Sequence, residues 1–132
     1  MLMLMRFCLL MTLFVASCIT AEQAAAGQAA GKKIHHMVMF KWKEGTTAEQ
    51  AAAIATALVG LKEKVPGIVS LTYGKQNSTE GVAIAKGYHY GLSVVFENAA
   101  ARDGYLPHPA HVAAVAVLKP HLADVAVLDY DL

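Results

Sequence analysis

Within seven residues, Tyr105-Leu106-Pro107-His108-Pro109-Ala110-His111 supplies one phenol and two imidazoles. An imidazole near neutrality takes or gives a proton, and a phenol donates a hydrogen bond to developing negative charge. These are general-purpose acid-base and hydrogen-bonding groups, gathered here in one short run. Pro107 and Pro109 each remove a backbone donor and push their predecessors toward extended conformations. The run is neither a good helix interior nor a good strand, and it reads as a stiff turn forming a pocket wall.

Each candidate also has a structural use. His108 and His111 can cap or start a following helix, Tyr105 can be a core residue with its hydroxyl at the surface, and His36 can be a satisfied buried histidine on an apolar strand. Tyr88 and Tyr90, two apart, share one strand face and can line a pocket or a dimer core. A metal site is not expected. His108 and His111 are three apart, but His36, His89 and His121 are scattered and no cysteine or well-spaced acid joins them to complete a ligand set. No cofactor is expected either: Gly81 and Gly87 lack the strand-loop-helix context of dinucleotide binding, and no residue stands out as a haem ligand.

The elements that must hold these residues follow from periodicity. Residues 34 to 43 alternate, with Ile34, His36, Val38, Phe40 and Trp42 on one face and His35, Met37, Met39, Lys41 and Lys43 on the other, which predicts a strand. After Gly45, the pattern Thr46-Thr47-Ala48-Glu49 offers a threonine cap with an acid three residues on. Ile54, Leu58, Leu61 and Val65 then recur at helical spacing, and Pro66-Gly67 stops the helix. A second strand is expected from about Ile68 to Lys75 and a third from about Tyr88 to Phe96. Asn98 caps a short helix to Asp103. Val112, Val115, Leu118 and Leu122 mark an amphipathic helix broken near Lys119-Pro120, and Val125 to Leu132 closes as a strand.

The order strand, helix, strand, strand, helix, strand is the split βαβ, ferredoxin-like arrangement. It predicts an α+β fold with a four-stranded antiparallel sheet and two main helices on one face. Side chains such as Val38, Phe40 or Leu92 are expected on the other face, which would need a partner. A homodimer burying two sheets together is the simplest cover.

Ahead of this domain, Arg6 precedes an uncharged apolar run from Phe7 to Ala16, too short to span a bilayer as a stable helix but in the order of an export signal over residues 1–20. Val15-Ala16-Ser17-Cys18 fits a lipobox with Cys18 as the lipidated residue. Ordinary cleavage near Cys18 or Ala21 fits as well. Residues 21–33, rich in Ala, Gly and Gln, read as a flexible tether, with the domain over 34–132. Either cleavage route places the domain outside the cytoplasm, periplasmic or membrane-anchored in a bacterium. The two cysteines are Cys8 and Cys18, so the domain has no thiol chemistry or disulfide framework. A net charge of +1 and the lack of a basic stripe exclude nucleic acid as an expected partner.

His36-Met37-Val38-Met39-Phe40-Lys41-Trp42-Lys43, Leu61-Lys62-Glu63-Lys64-Val65-Pro66-Gly67-Ile68, Lys86-Gly87-Tyr88 and the Tyr105 to His111 run, in that order, resemble the stress-responsive A/B barrel (Dabb) family. The likeness extends from about Ile34 to Tyr130, including Asp124-Val125 and Asp129-Tyr130. It implies a dimeric α+β barrel with a cavity between sheet and helices. Some plant members are cofactor-free polyketide cyclases, and the resemblance implies His111 as a general base, Tyr105 as its assistant and His36 as a residue that orients substrate. The plant cyclases have a histidine where this chain has Tyr90. Three functions are expected to compete: a binding barrel for a small apolar molecule, with His36, Tyr88, Tyr90 and His108 as contacts; a cofactor-independent cyclase or lyase using His111 and Tyr105; and a stress-related structural oligomer.

Overall fold

The alternating segment forms the central strand, β1, over Ile34–Trp42, and the remaining elements assemble around it. In chain order they are α1 (Ala48–Val59), α2 (Leu61–Lys64), β2 (Ile68–Lys75), β3 (Tyr90–Phe96), α3 (Ala99–Tyr105), α4 (Pro109–Leu118), a 3-10 turn (Lys119–His121) and β4 (Leu122–Asp131). The computed structural model describes residues 31–80 and 86–132. The expected export signal over 1–20, with Cys8 and Cys18, and most of the expected tether 21–33 lie outside the described residues. The sheet order is β2-β3-β1-β4 with antiparallel neighbours, so the fold is ferredoxin-like α+β as the element order implied.

The helices cover one face only. Ile34, Val38, Phe40 and Trp42 of β1 and Leu92, Val94 and Phe96 of β3 are buried beneath them. From the helical side come Ile54, Leu58, Leu61 and Val65, all buried, as the spacing predicted. Val38, Phe40 and Leu92 are thus core residues rather than open-face ones, because the helices pack on the even-numbered side of β1. The open face carries the odd set, Met37 and Met39, with Leu128 and Ala126 directly opposite them on β4.

Local chemistry explains where expectation and structure part. Thr47, not Thr46, is the cap of α1: its side chain accepts from the Gln50 N–H while Gln50 Oε1 accepts from the Thr47 N–H. Gln50 closes the box, so Glu49 is not needed for it. The Pro-rich run is more helical than expected. Tyr105 ends α3, Pro109 opens α4 at a position where its missing N–H costs nothing, and only Leu106–His108 link the two. On α4 the inward residues are Ala114 and Leu118, whereas Val112 is exposed; the small Ala114 lets the helix approach the core that Val112 was expected to face.

Candidate functional site

Three of the predicted residues meet between β1, β4 and the α3–α4 hairpin. A cavity of about 230 Å³ opens there, lined by His36, Val38, Tyr105, Leu106, His111 and Val127 with further core aliphatics. Its polar groups are few. The Tyr105 ring lies 4.2 Å from that of His111 and 5.8 Å from that of His36, centroid to centroid, so the three rings form one contiguous cluster.

Each ring is held by its own element. His111 sits in the first turn of α4, where its Nδ1 is 2.9 Å from the Leu106 carbonyl oxygen. A carbonyl only accepts, so Nδ1 carries the proton and the Nε2 lone pair stays available in the neutral ring. Burial holds the His111 imidazole below its ordinary range, outweighing the Leu106 bond, and nearby His36 adds to the lowering. At neutral pH the ring is therefore in the base form. Tyr105 is almost fully buried, and burial pushes its phenol up to about 12, which keeps it a proton-bearing donor at any physiological pH.

His36, on the helix-facing side of β1, is buried and bonded through Nδ1 to Asp129 Oδ1 at 2.6 Å. The two are register partners across the β1–β4 ladder. Arg102 of α3 donates from Nη1 to the other carboxylate oxygen of Asp129 at 2.8 Å. Burial works to raise the Asp129 carboxyl, but hydrogen bonds from His36 and Arg102 win and hold it below the usual carboxylate range. It is ionised near neutrality, so His36 Nδ1 donates to it, and Nε2, which makes no hydrogen bond among the described residues, is the nitrogen left free on a ring that lines the cavity.

Sequence reasoning missed Asp129 and Arg102 as site residues. His36 and Asp129 are 93 positions apart, and only the antiparallel register of the first and last strands brings them together.

The other candidates lie elsewhere. His108 is the cap of α4, its Nδ1 accepting from the Ala110 N–H at 3.2 Å, and it borders a shallow hollow with Gly67 and Asn98. Tyr88 donates to Asp124 Oδ2 at 2.9 Å. Tyr90 stacks on Tyr73 at 5.3 Å. Tyr88 and Tyr90 line a wider, more open hollow of about 440 Å³ at the end of the sheet, with Lys75 and Lys86 on its rim. That hollow is larger, but it is open and its lining carries charged and polar groups, Lys75, Gln76, Ser78, Glu80 and Lys86, so the smaller, more enclosed and more apolar cavity is the better candidate for a small apolar molecule. Among the described residues no group of three or more His, Cys, Asp and Glu is placed to hold a metal ion.

The model of the Stress responsive A/B Barrel Domain family matches residues 34–132, a span that begins with β1 and includes every helix and strand described above. The chain belongs to this family. Olivetolic acid cyclase from Cannabis sativa is 25% identical to this A/B barrel over 97 residues, covering 74% of this chain and 94% of the cyclase. Among solved structures, a dimeric ferredoxin-like protein of unknown function from Thermobifida fusca superposes with a TM-score of 0.67 at 26% identity, over 77% of this chain and 92% of that one. The hydroxynitrile lyase from Passiflora edulis reaches a TM-score of 0.66 over 76% of this chain and 94% of its own, at 18% identity, which speaks to the shared fold alone.

Proposed function

We propose that this A/B barrel protein is a homodimer that binds a small, largely apolar molecule in the cavity between β1, β4 and α4, with the molecule's polar end at the His36, Tyr105 and His111 rings. The carrying observation is the distribution of polarity: three polar rings at one place in an otherwise apolar lining. An apolar cavity of about 150 Å³ accepts benzene, so 230 Å³ suits a single ring or a comparable chain bearing one carbonyl or hydroxyl. Native mass spectrometry of the folded domain from its own host, with bound small molecules extracted, tests this. A dimer with a stoichiometric organic ligand agrees with it, and an empty oligomer would shift the protein to a scaffold role.

One observation favours chemistry in addition to binding. The Nδ1 of His111 is committed to a carbonyl, so the ring is fixed in the tautomer a general base needs, beside a phenol that stays protonated. The similarity to a cyclase points the same way. Cofactor-independent proton transfer, as in a cyclase or lyase, is the second reading, with His111 as base and Tyr105 as donor to the developing oxyanion. The two readings separate on His111→Ala: a carrier changes affinity, while an enzyme keeps its ligand and loses turnover.

The sequence of residues 1–20 supports export, with Cys18 as a lipid anchor. Cys18→Ala is then expected to move the protein from the membrane to the soluble fraction, and unchanged membrane retention would remove lipidation from the proposal.

A further inference from the structure

Arg102 is not among the residues that line the cavity, yet it holds the outer end of a hydrogen-bonded chain that leads from the surface to a cavity group. Its Nη1 is 2.8 Å from Asp129 Oδ2, and Asp129 Oδ1 is 2.6 Å from His36 Nδ1. The two outer side chains are partly exposed, 25% at Arg102 and 30% at Asp129, and the inner one, His36, is only 8% exposed. Arg102 and Tyr105 are three apart on α3, so one short helix both delivers the phenol and grips the carboxylate behind the imidazole.

We propose that Arg102 is a positioning residue that sets the charge His36 presents to the cavity, and thereby selects neutral over anionic ligands. This rests on the reading of the cavity as a ligand site. The physics is charge balance. A carboxylate partly withdrawn from water, as Asp129 is, is stabilised by one cation close by. The guanidinium is a permanent cation, and with it on Oδ2 the carboxylate makes no demand for a second positive charge on Oδ1. His36 then needs only its Nδ1 proton, and Nε2 offers a lone pair to the cavity. Without the guanidinium the carboxylate's nearest compensation is a second proton on His36, which turns Nε2 into a charged donor aimed at the ligand.

The other titratable groups around this chain do not supply the balance. Tyr105 on α3 and His111 on α4 are held in their neutral forms by burial. Asp103 takes the Arg102 Nε at 2.7 Å, but its side chain is 67% exposed and water screens it. Lys32 pairs with Asp131 at the exposed end of β4 and not with Asp129. Arg102 is the one permanent cation bonded to Asp129 among the described residues.

The test uses nitrogen NMR of the histidine rings near pH 7, on the wild type, R102M, R102Q and R102K. The wild type is expected to show His36 protonated at Nδ1 alone. R102M and R102Q, which remove the charge without and with a polar group, are expected to show protons on both nitrogens, and R102K to restore the wild-type state. Identical His36 protonation in wild type and in whichever neutral variant folds would overturn the proposal, as would a doubly protonated His36 in the wild type. Benzyl alcohol and benzoate, near-isosteric neutral and anionic probes, then read selectivity. Benzoate should bind R102M on the order of tenfold tighter than wild type, the size of one charge-assisted hydrogen bond, with benzyl alcohol little changed. Equal benzoate affinity in both proteins would remove the selectivity claim. If neither probe binds any of the four proteins, the cavity reading fails, while the ring protonation still decides what Arg102 does.

Discussion

His111 gives the clearest test at the scale of single residues, because its two nitrogens have different tasks. Nδ1 is spent on the Leu106 carbonyl and Nε2 is the acceptor. If the ring abstracts protons, the wild type should catalyse exchange of the methyl protons of acetophenone in deuterated water, followed by NMR. His111→Ala should lose about 10²–10⁴-fold of that rate, the usual worth of a positioned general base. The pH dependence has a definite sign. The active form is the neutral imidazole, and burial holds its titration below 6.5. The rate should therefore be flat from about pH 8 down to the ordinary imidazole value of about 6.5 and fall only below it. A midpoint above 6.5 would show that the ring is stabilised as a cation and that burial does not govern its titration. Tyr105→Phe should slow exchange without moving this midpoint, since the phenol titrates near 12 and supplies a hydrogen bond rather than a proton equilibrium.

The elements position these residues through a few tight places, and Gly67 is the tightest. It has φ of +82°, and a β-carbon there would lie 2.5 Å from the Ala101 β-carbon on α3. Gly67→Ala carries both the left-handed backbone cost and the overlap, an expected loss of about 2–4 kcal/mol, measurable by urea unfolding. Because the overlap pushes on α3, ligand affinity should fall further than in Thr47→Ala, which removes a remote helix cap at about 1 kcal/mol. Equal effects on binding would mean that α3 does not position the site. The sequence made much of this frame legible. Strict alternation in β1 and the i, i+3, i+4 spacing of Ile54, Leu58 and Leu61 are local signals, and local signals survive folding. Tyr105 and His111 were legible as candidates because they share one short run, whereas His36, which the strand pattern alone reads as a buried histidine, became a candidate only through the family resemblance. Asp129 and Arg102 were not, because their meaning comes from strand register and helix packing. The side of β1 that the helices take is likewise not written in β1 itself, since both faces carry apolar residues.

For the whole molecule the open sheet face is the deciding feature. Met37, Met39, Leu128 and Tyr130 are 38–59% exposed there, an apolar surface of the kind soluble chains cover. Three of its polar side chains already partner one another: His35 Nδ1 lies 2.5 Å from the Tyr130 hydroxyl and His35 Nε2 lies 2.6 Å from Ser93 Oγ. Polar groups that satisfy one another in this way can be buried against a copy of the same face without being orphaned. Two-fold packing also places each such residue in the interface twice, so one substitution acts on both halves. Leu128→Asp puts two carboxylates into that contact and should raise the dimer dissociation constant by roughly 30-fold or more, about 2 kcal/mol, seen as a shift to monomer in sedimentation analysis. The helix-facing core does not include Leu128, so the circular dichroism spectrum should stay that of the wild type. A variant that stays dimeric at low micromolar concentration would place the contact on another surface. A variant that unfolds as it dissociates would show instead that the sheet needs its partner to fold.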